Sequence, residues 1–91
     1  PKEIEVLIDA MEGVAESAVI GVPHADFGES IVAVVVPARG AAPDPASILE
    51  GLAGQLAKFK LPRRIEIVDE LPRNTMGKVQ KNALRQRFEK G

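Results

Sequence analysis

Glu29-Ser30-Ile31-Val32-Ala33-Val34-Val35-Val36-Pro37 is the longest β-branched run in the chain, with five Ile or Val residues in the six positions from Ile31 to Val36. Near-continuous apolarity at strand length predicts burial on both faces, so this segment is expected to be the central strand of a covered sheet. Upstream, His24-Ala25-Asp26-Phe27-Gly28 reads as a turn. Val14 to Val22 carries small and β-branched residues in the manner of a second strand, closed by Pro23. Before Gly13, Ile4, Leu7, Ile8 and Met11 recur at the spacing of one buried helical stripe over Pro1 to Met11, leaving Lys2, Glu3, Glu5 and Asp9 in water. That helix opens on a proline with no N-cap residue ahead of it, which predicts a piece of a longer chain.

Downstream of the central strand, Ala38 to Pro45 is a Gly, Ala and Pro loop. Asp44 as N-cap and Pro45 at the first position start a helix expected to run to about Ala57, with Ile48, Leu49, Leu52 and Leu56 inward. Gly51 and Gly54 each weaken it by about 1 kcal/mol relative to alanine, which points either to close packing against a neighbour, the favoured reading, or to simple tolerance. Leu61-Pro62 breaks the chain, and Arg64 to Val68 reads as a short strand with Ile65 and Ile67 on one face and Glu66 on the other. Gln80 to Lys90 is the last helix. The order predicts one α+β domain over residues 1–91, a three-stranded sheet packed by about three helices.

Ninety-one residues support one apolar core but not the walls of a large substrate cleft, so a partner domain is expected. The composition, 45% apolar and 27% charged, is that of a soluble globular domain. No apolar run reaches the roughly 18 residues of a membrane span, so no membrane partner is expected. The chain has no cysteine, which excludes disulfides, thiolate metal sites and cysteine nucleophiles and fits a cytoplasmic location. Its single histidine excludes a His-cluster metal site.

The net charge of −1 conceals a division: residues 1–57 hold two basic and nine acidic side chains, residues 58–91 ten basic and four acidic. Such a basic third is either a solvated helix face or a surface for a phosphorylated ligand or an acidic partner. Lys58, Lys60, Arg63 and Arg64 suit the phosphates of a nucleotide-type coenzyme. Nucleic acid is not an expected partner, because single-strand readers add aromatic platforms and this chain has three Phe, no Tyr and no Trp. Glu12, Glu16 and Glu29 lack metal-ligand spacing and read as solubilising, and His24 with Asp26 lies in a turn without a nucleophile nearby.

One lysine stands in a loop of distinctive chemistry, Leu71-Pro72-Arg73-Asn74-Thr75-Met76-Gly77-Lys78-Val79-Gln80-Lys81. Pro72 fixes the entry, Asn74 and Thr75 favour turn geometry, and Gly77 relieves both side-chain bulk and backbone restriction beside Lys78. Gly77-Lys78 is not a nucleotide P-loop, because the loop lacks the earlier glycine that motif needs and has Val79 where it needs Ser or Thr.

Taken in order, Pro1-Lys2-Glu3-Ile4-Glu5, Val19-Ile20-Gly21-Val22-Pro23, Gly28-Glu29, Lys60-Leu61-Pro62 and Leu71-Pro72-Arg73-Asn74 ahead of Gly77-Lys78 give a chain-long resemblance to the C-terminal domain of the adenylate-forming acyl-CoA synthetases, the AMP-binding enzyme family. Asp26-Phe27-Gly28-Glu29 and the wording of residues 71–81 most resemble the malonyl-CoA synthetases within it. Phe59 departs from the family, which often carries tyrosine there. The resemblance implies a two-step acid-thiol ligase using ATP, Mg2+ and coenzyme A, with Lys78 as catalytic residue of the adenylation step and Pro72 and Gly77 positioning its loop. It also implies that the acyl pocket, hinge and large ATP-binding N-terminal domain precede Pro1, so this chain alone is expected to be inactive. Lys78 is by the same resemblance a target for a protein lysine acetyltransferase and deacetylase.

Overall fold

The computed structural model describes residues 2–24 and 28–89. The turn expected over His24 to Gly28 has its centre, with Asp26, outside the described residues, as are the side chains of His24 and Phe59. Helix α1 spans Lys2–Asp9, strand β1 Val14–His24, strand β2 Gly28–Pro37, helix α2 Pro45–Ala53, strand β3 Arg64–Ile67 and helix α3 Lys81–Phe88, with a single 3-10 turn at Lys58–Lys60. The sheet order is β1-β2-β3, antiparallel between the first pair and parallel between the second. The parallel step requires a crossover, which α2 supplies.

β2 is the central strand, and strand parity explains its buried run from Val32 to Val36. Val32, Val34 and Val36 join Ala18, Ile20 and Val22 of β1 against Leu71 and Leu84, on the side of α3. Ala33 and Val35 join Val19 against Ile4 and Ile8 of α1 and Ile48 and Leu52 of α2. Two half-cores thus sandwich one sheet, the α+β architecture expected. The edge of β1 is covered by carboxylates from α1: Glu5 Oε2 accepts the Val19 N–H at 2.7 Å and Asp9 Oδ1 accepts the Ser17 hydroxyl at 2.7 Å.

Several expectations need correction. Pro23 does not close β1 but pairs opposite Glu29, which an edge strand tolerates because the missing N–H is not needed by the ladder. α2 ends at Ala53 rather than Ala57, with Gly54 as its C-cap, so only Gly51 lies inside the helix. There the expected close packing is present: a Cβ on Gly51 would stand 3.0 Å from Met11 Cε. Asp44 caps α2 as expected, its carboxylate accepting the Ala46 N–H at 3.3 Å and the Ser47 hydroxyl at 3.2 Å. Ile65 packs into the α1 and α2 side, but Ile67, on the same face by parity, is 39% exposed at the end of its strand.

Candidate functional site

The loop before α3 is built as a small hairpin on buried feet. Leu71 is buried and Val79 packs beside it against the β1 and β2 side chains, so both ends of the loop are fixed by the apolar core. Arg73 and Val79 bridge antiparallel, and the Gln80 N–H donates to the Pro72 carbonyl at 2.8 Å. Above the bridge, the Asn74 N–H donates to the Lys78 carbonyl at 3.0 Å and the Gly77 N–H returns to the Asn74 carbonyl at 2.9 Å. Three residues therefore close the turn, with Gly77 at a φ of 83° in the left-handed position this loop length demands. A Cβ at Gly77 would meet nothing within 4 Å, so of the two reasons expected for this glycine only backbone freedom applies.

Asn74 makes the turn rigid from inside. Its side-chain oxygen accepts the Met76 N–H at 2.9 Å and the Lys78 N–H at 3.0 Å, an Asx-type arrangement that satisfies two donors the turn would otherwise leave open. The Gln80 carboxamide donates to the Lys78 carbonyl at 3.1 Å, so both backbone polar groups of Lys78 are held. Its side chain is exposed and has no hydrogen-bond or ion-pair partner among the described residues. Met76, beside it at the tip, is 89% exposed. Lys78, Lys81, Arg85, Asn74 and Asn82 line an open depression of about 420 Å³. A second depression of about 370 Å³ lies between α1 and α2, lined by Met11, Pro43, Ile48 and Gly51, and shares no residue with the first.

Arg73, at the entry, spans two elements. One arm of its guanidinium donates to the Gly77 carbonyl at 2.8 Å and the other pairs with Glu16 of β1. At the exit, Lys81 Nζ pairs with Glu5 Oε2 at 2.7 Å. The sequence reading of Glu16 as a solubilising residue is thus corrected. Its signal was parity, since Glu16 falls on the strand face of Ala18, Ile20 and Val22, the face that meets the loop.

The four cations nominated for phosphate contact are spread over the turn at residues 58–60 and the start of β3. Lys58 is exposed, and Lys60 pairs with Glu3 at 3.3 Å while both remain largely solvated. Arg63 is exposed, with its backbone N–H on the Ile31 carbonyl at 2.7 Å. Arg64 is committed to the fold: it donates to the Phe88 carbonyl at 2.6 Å, pairs with Glu66 at 3.3 Å and lies 5.8 Å over the Phe88 ring. Arg63 and Arg64 line one small depression with Phe88, whereas Lys60 turns to Glu3 of α1, and none of the four lines the depression that holds Lys78. Among the described residues, three ion pairs, Glu3 with Lys60, Glu5 with Lys81 and Glu16 with Arg73, join the acidic part of the chain to the basic third, so three of its cations are compensated within the fold.

A family model for the AMP-binding enzyme C-terminal domain matches residues 3–78, ending on the lysine at the hairpin. A fatty acid–[acyl-carrier-protein] ligase, ScoC of Streptomyces coeruleorubidus, is 46% identical over 88 residues, 97% of this chain and 17% of its own length. An indoleacetate–CoA ligase of Aromatoleum aromaticum is 44% identical over 86 residues, 94% of this chain and 17% of its own. The crystal structure of ATP-bound MatB from Rhodopseudomonas palustris superposes with a TM-score of 0.95 at 66% identity, covering 98% of this chain and 18% of that one. The chain therefore spans about one sixth of the length of the proteins it matches.

Proposed function

The chain belongs to the AMP-binding enzyme C-terminal domain family, and we propose that it serves as the mobile C-terminal domain of an AMP-forming acyl-CoA synthetase of the malonyl-CoA synthetase type. The likeness to MatB supports that substrate class. The observation that carries the catalytic reading is the ammonium of Lys78, without a partner among the described residues, on a hairpin whose backbone is fixed by Asn74 and Arg73. An exposed cation carried on a rigid turn suits a site shared with another domain, here the N-terminal domain of the same enzyme.

In the first step a carboxylate oxygen of the acid attacks the α-phosphorus of ATP, forming the acyl phosphate bond and expelling pyrophosphate. Two anions meet in that step. Lys78, directed at the oxygens where charge gathers, lowers the barrier by about 2.7 to 4 kcal/mol if it acts like other single electrostatic donors. Mg2+ would accompany the triphosphate in the N-terminal domain. In the second step the thiol of coenzyme A attacks the acyl carbon and AMP leaves, with Lys78 withdrawn as the domain turns on a hinge ahead of Pro1. Lys58, Lys60 and Arg63 would meet the coenzyme's phosphates; Arg64 would add charge but not its fork, which the Phe88 carbonyl already occupies.

The test is Lys78→Ala in the full-length enzyme bearing this chain. Adenylate formation is expected to fall on the order of 10² to 10³-fold, with transfer from preformed acyl-adenylate to coenzyme A intact. Equal losses in both half-reactions would refute the assignment. Acetylation at Lys78 would remove the same charge, which makes this exposed lysine the proposed site for a protein lysine acetyltransferase and a deacetylase. Mass spectrometry after treatment with such an enzyme checks this, and modification that spares Lys78 counts against it.

A further inference from the structure

Glu16 lies 57 residues before Arg73, on β1, yet its carboxylate holds one arm of the Arg73 guanidinium while the other arm holds the Gly77 carbonyl. Among the described residues, the tip of the hairpin has little else to orient it. Met76 is in solvent, Gly77 has open space around it, and the apolar anchors Leu71 and Val79 sit at the feet. The hydrogen bonds of Asn74 are internal to the turn and fix its shape, not its direction relative to the sheet. Only a tie that leaves the loop can do that. Arg73 supplies one through a planar fork that reaches two acceptors at once.

We propose that Glu16 is a positioning residue for Lys78, acting through Arg73: β1 aims the lysine hairpin by way of the Glu16 carboxylate, the Arg73 guanidinium and the Gly77 carbonyl. The inference rests on the adenylation role proposed above. It explains why an exposed ion pair, which adds little to global stability, is placed beside this loop. It also accounts for the basic residue at 73. Lysine there would keep the charge but lose the two-armed geometry.

The experiment uses the full-length enzyme with Glu16→Ala, Arg73→Lys and Lys78→Ala, and Glu16→Ala combined with Lys78→Ala. Misplacement of a catalytic group by about 1 Å costs up to roughly 100-fold, so Glu16→Ala and Arg73→Lys are each expected to lower kcat for adenylate formation by about 10 to 100-fold. The KM for the carboxylate and the transfer half-reaction should stay unchanged. In the Lys78→Ala background, Glu16→Ala should cost nothing further. Backbone order parameters at Met76 and Gly77, measured by NMR relaxation, should fall in Glu16→Ala while amide exchange at Val34 and Val35 stays the same, which separates loosening of the loop's direction from loss of the fold. A further loss in the Lys78→Ala background, or equal losses in both half-reactions, would overturn the proposal. Sensitivity to Lys78→Ala with indifference to Glu16→Ala overturns this inference alone, whereas indifference to Lys78→Ala overturns the adenylation role and this inference with it.

Discussion

The side-chain oxygen of Asn74 accepts the backbone N–H of Lys78 at 3.0 Å, four residues along the chain, and the Met76 N–H at 2.9 Å. A turn that holds its own lysine from within reaches its shape before any partner arrives, which reduces the ordering cost of binding.

Asn74→Ala removes one acceptor and releases two exposed donors to water. Because water replaces the lost partner, the stability change should be about 1 kcal/mol, within the range of a single net hydrogen bond. Amide exchange at Met76 and Lys78 should rise well beyond that of Leu84, measured by NMR. Unchanged exchange at those two amides would show that the turn holds without the side chain.

Gly77→Ala tests conformation apart from space. The added methyl meets nothing within 4 Å, so any loss comes from holding an L-residue at a φ of 83°, a cost of about 1 to 2 kcal/mol. Gly77→Asn should cost less, since asparagine visits that region more readily. Denaturant titration of the three proteins checks the order glycine, asparagine, alanine.

Gly51→Ala sets helix propensity against packing. Alanine within α2 gains up to about 1 kcal/mol, while its Cβ approaches Met11 Cε at 3.0 Å. That contact is the far end of a flexible thioether, so Met11 can give way and a net rise in stability is expected. A fall in the denaturation midpoint would mean that Met11 has nowhere to move.

Leu84→Ala should cost about 2 to 5 kcal/mol, because Leu84 is buried among Ile20, Val34 and Leu71 and joins α3 to the sheet. Ile67→Ala, at a partly exposed strand end, should cost less than half as much. The same titrations measure both. Equal losses would contradict the burial of α3 against this face.

Local patterns carried much of the fold. The unbroken apolar run of β2 required cover on both sides, the stripe Ile4, Leu7, Ile8 and Met11 required one inward helical face, and Asp44-Pro45 marked the start of α2. The lysine loop was legible too, because Pro72, Asn74 and Gly77 have conformational preferences that act over a few residues. The pairing of Pro23 with Glu29 and the exposure of Ile67 were not, since each depends on a strand's place in the sheet and not on its own composition.

By itself, then, the sequence determined which segments are helices and strands and that Lys78 would be presented on a turn. Only the tertiary structure decided that Glu16 meets Arg73, that Glu5 meets Lys81, and that Lys78 among these cations is left unpartnered among the described residues. The reason is range: propensity and capping act between near neighbours in the chain. Which carboxylate neutralises which cation depends on strand parity and sheet order, which bring together residues as far apart as 16 and 73.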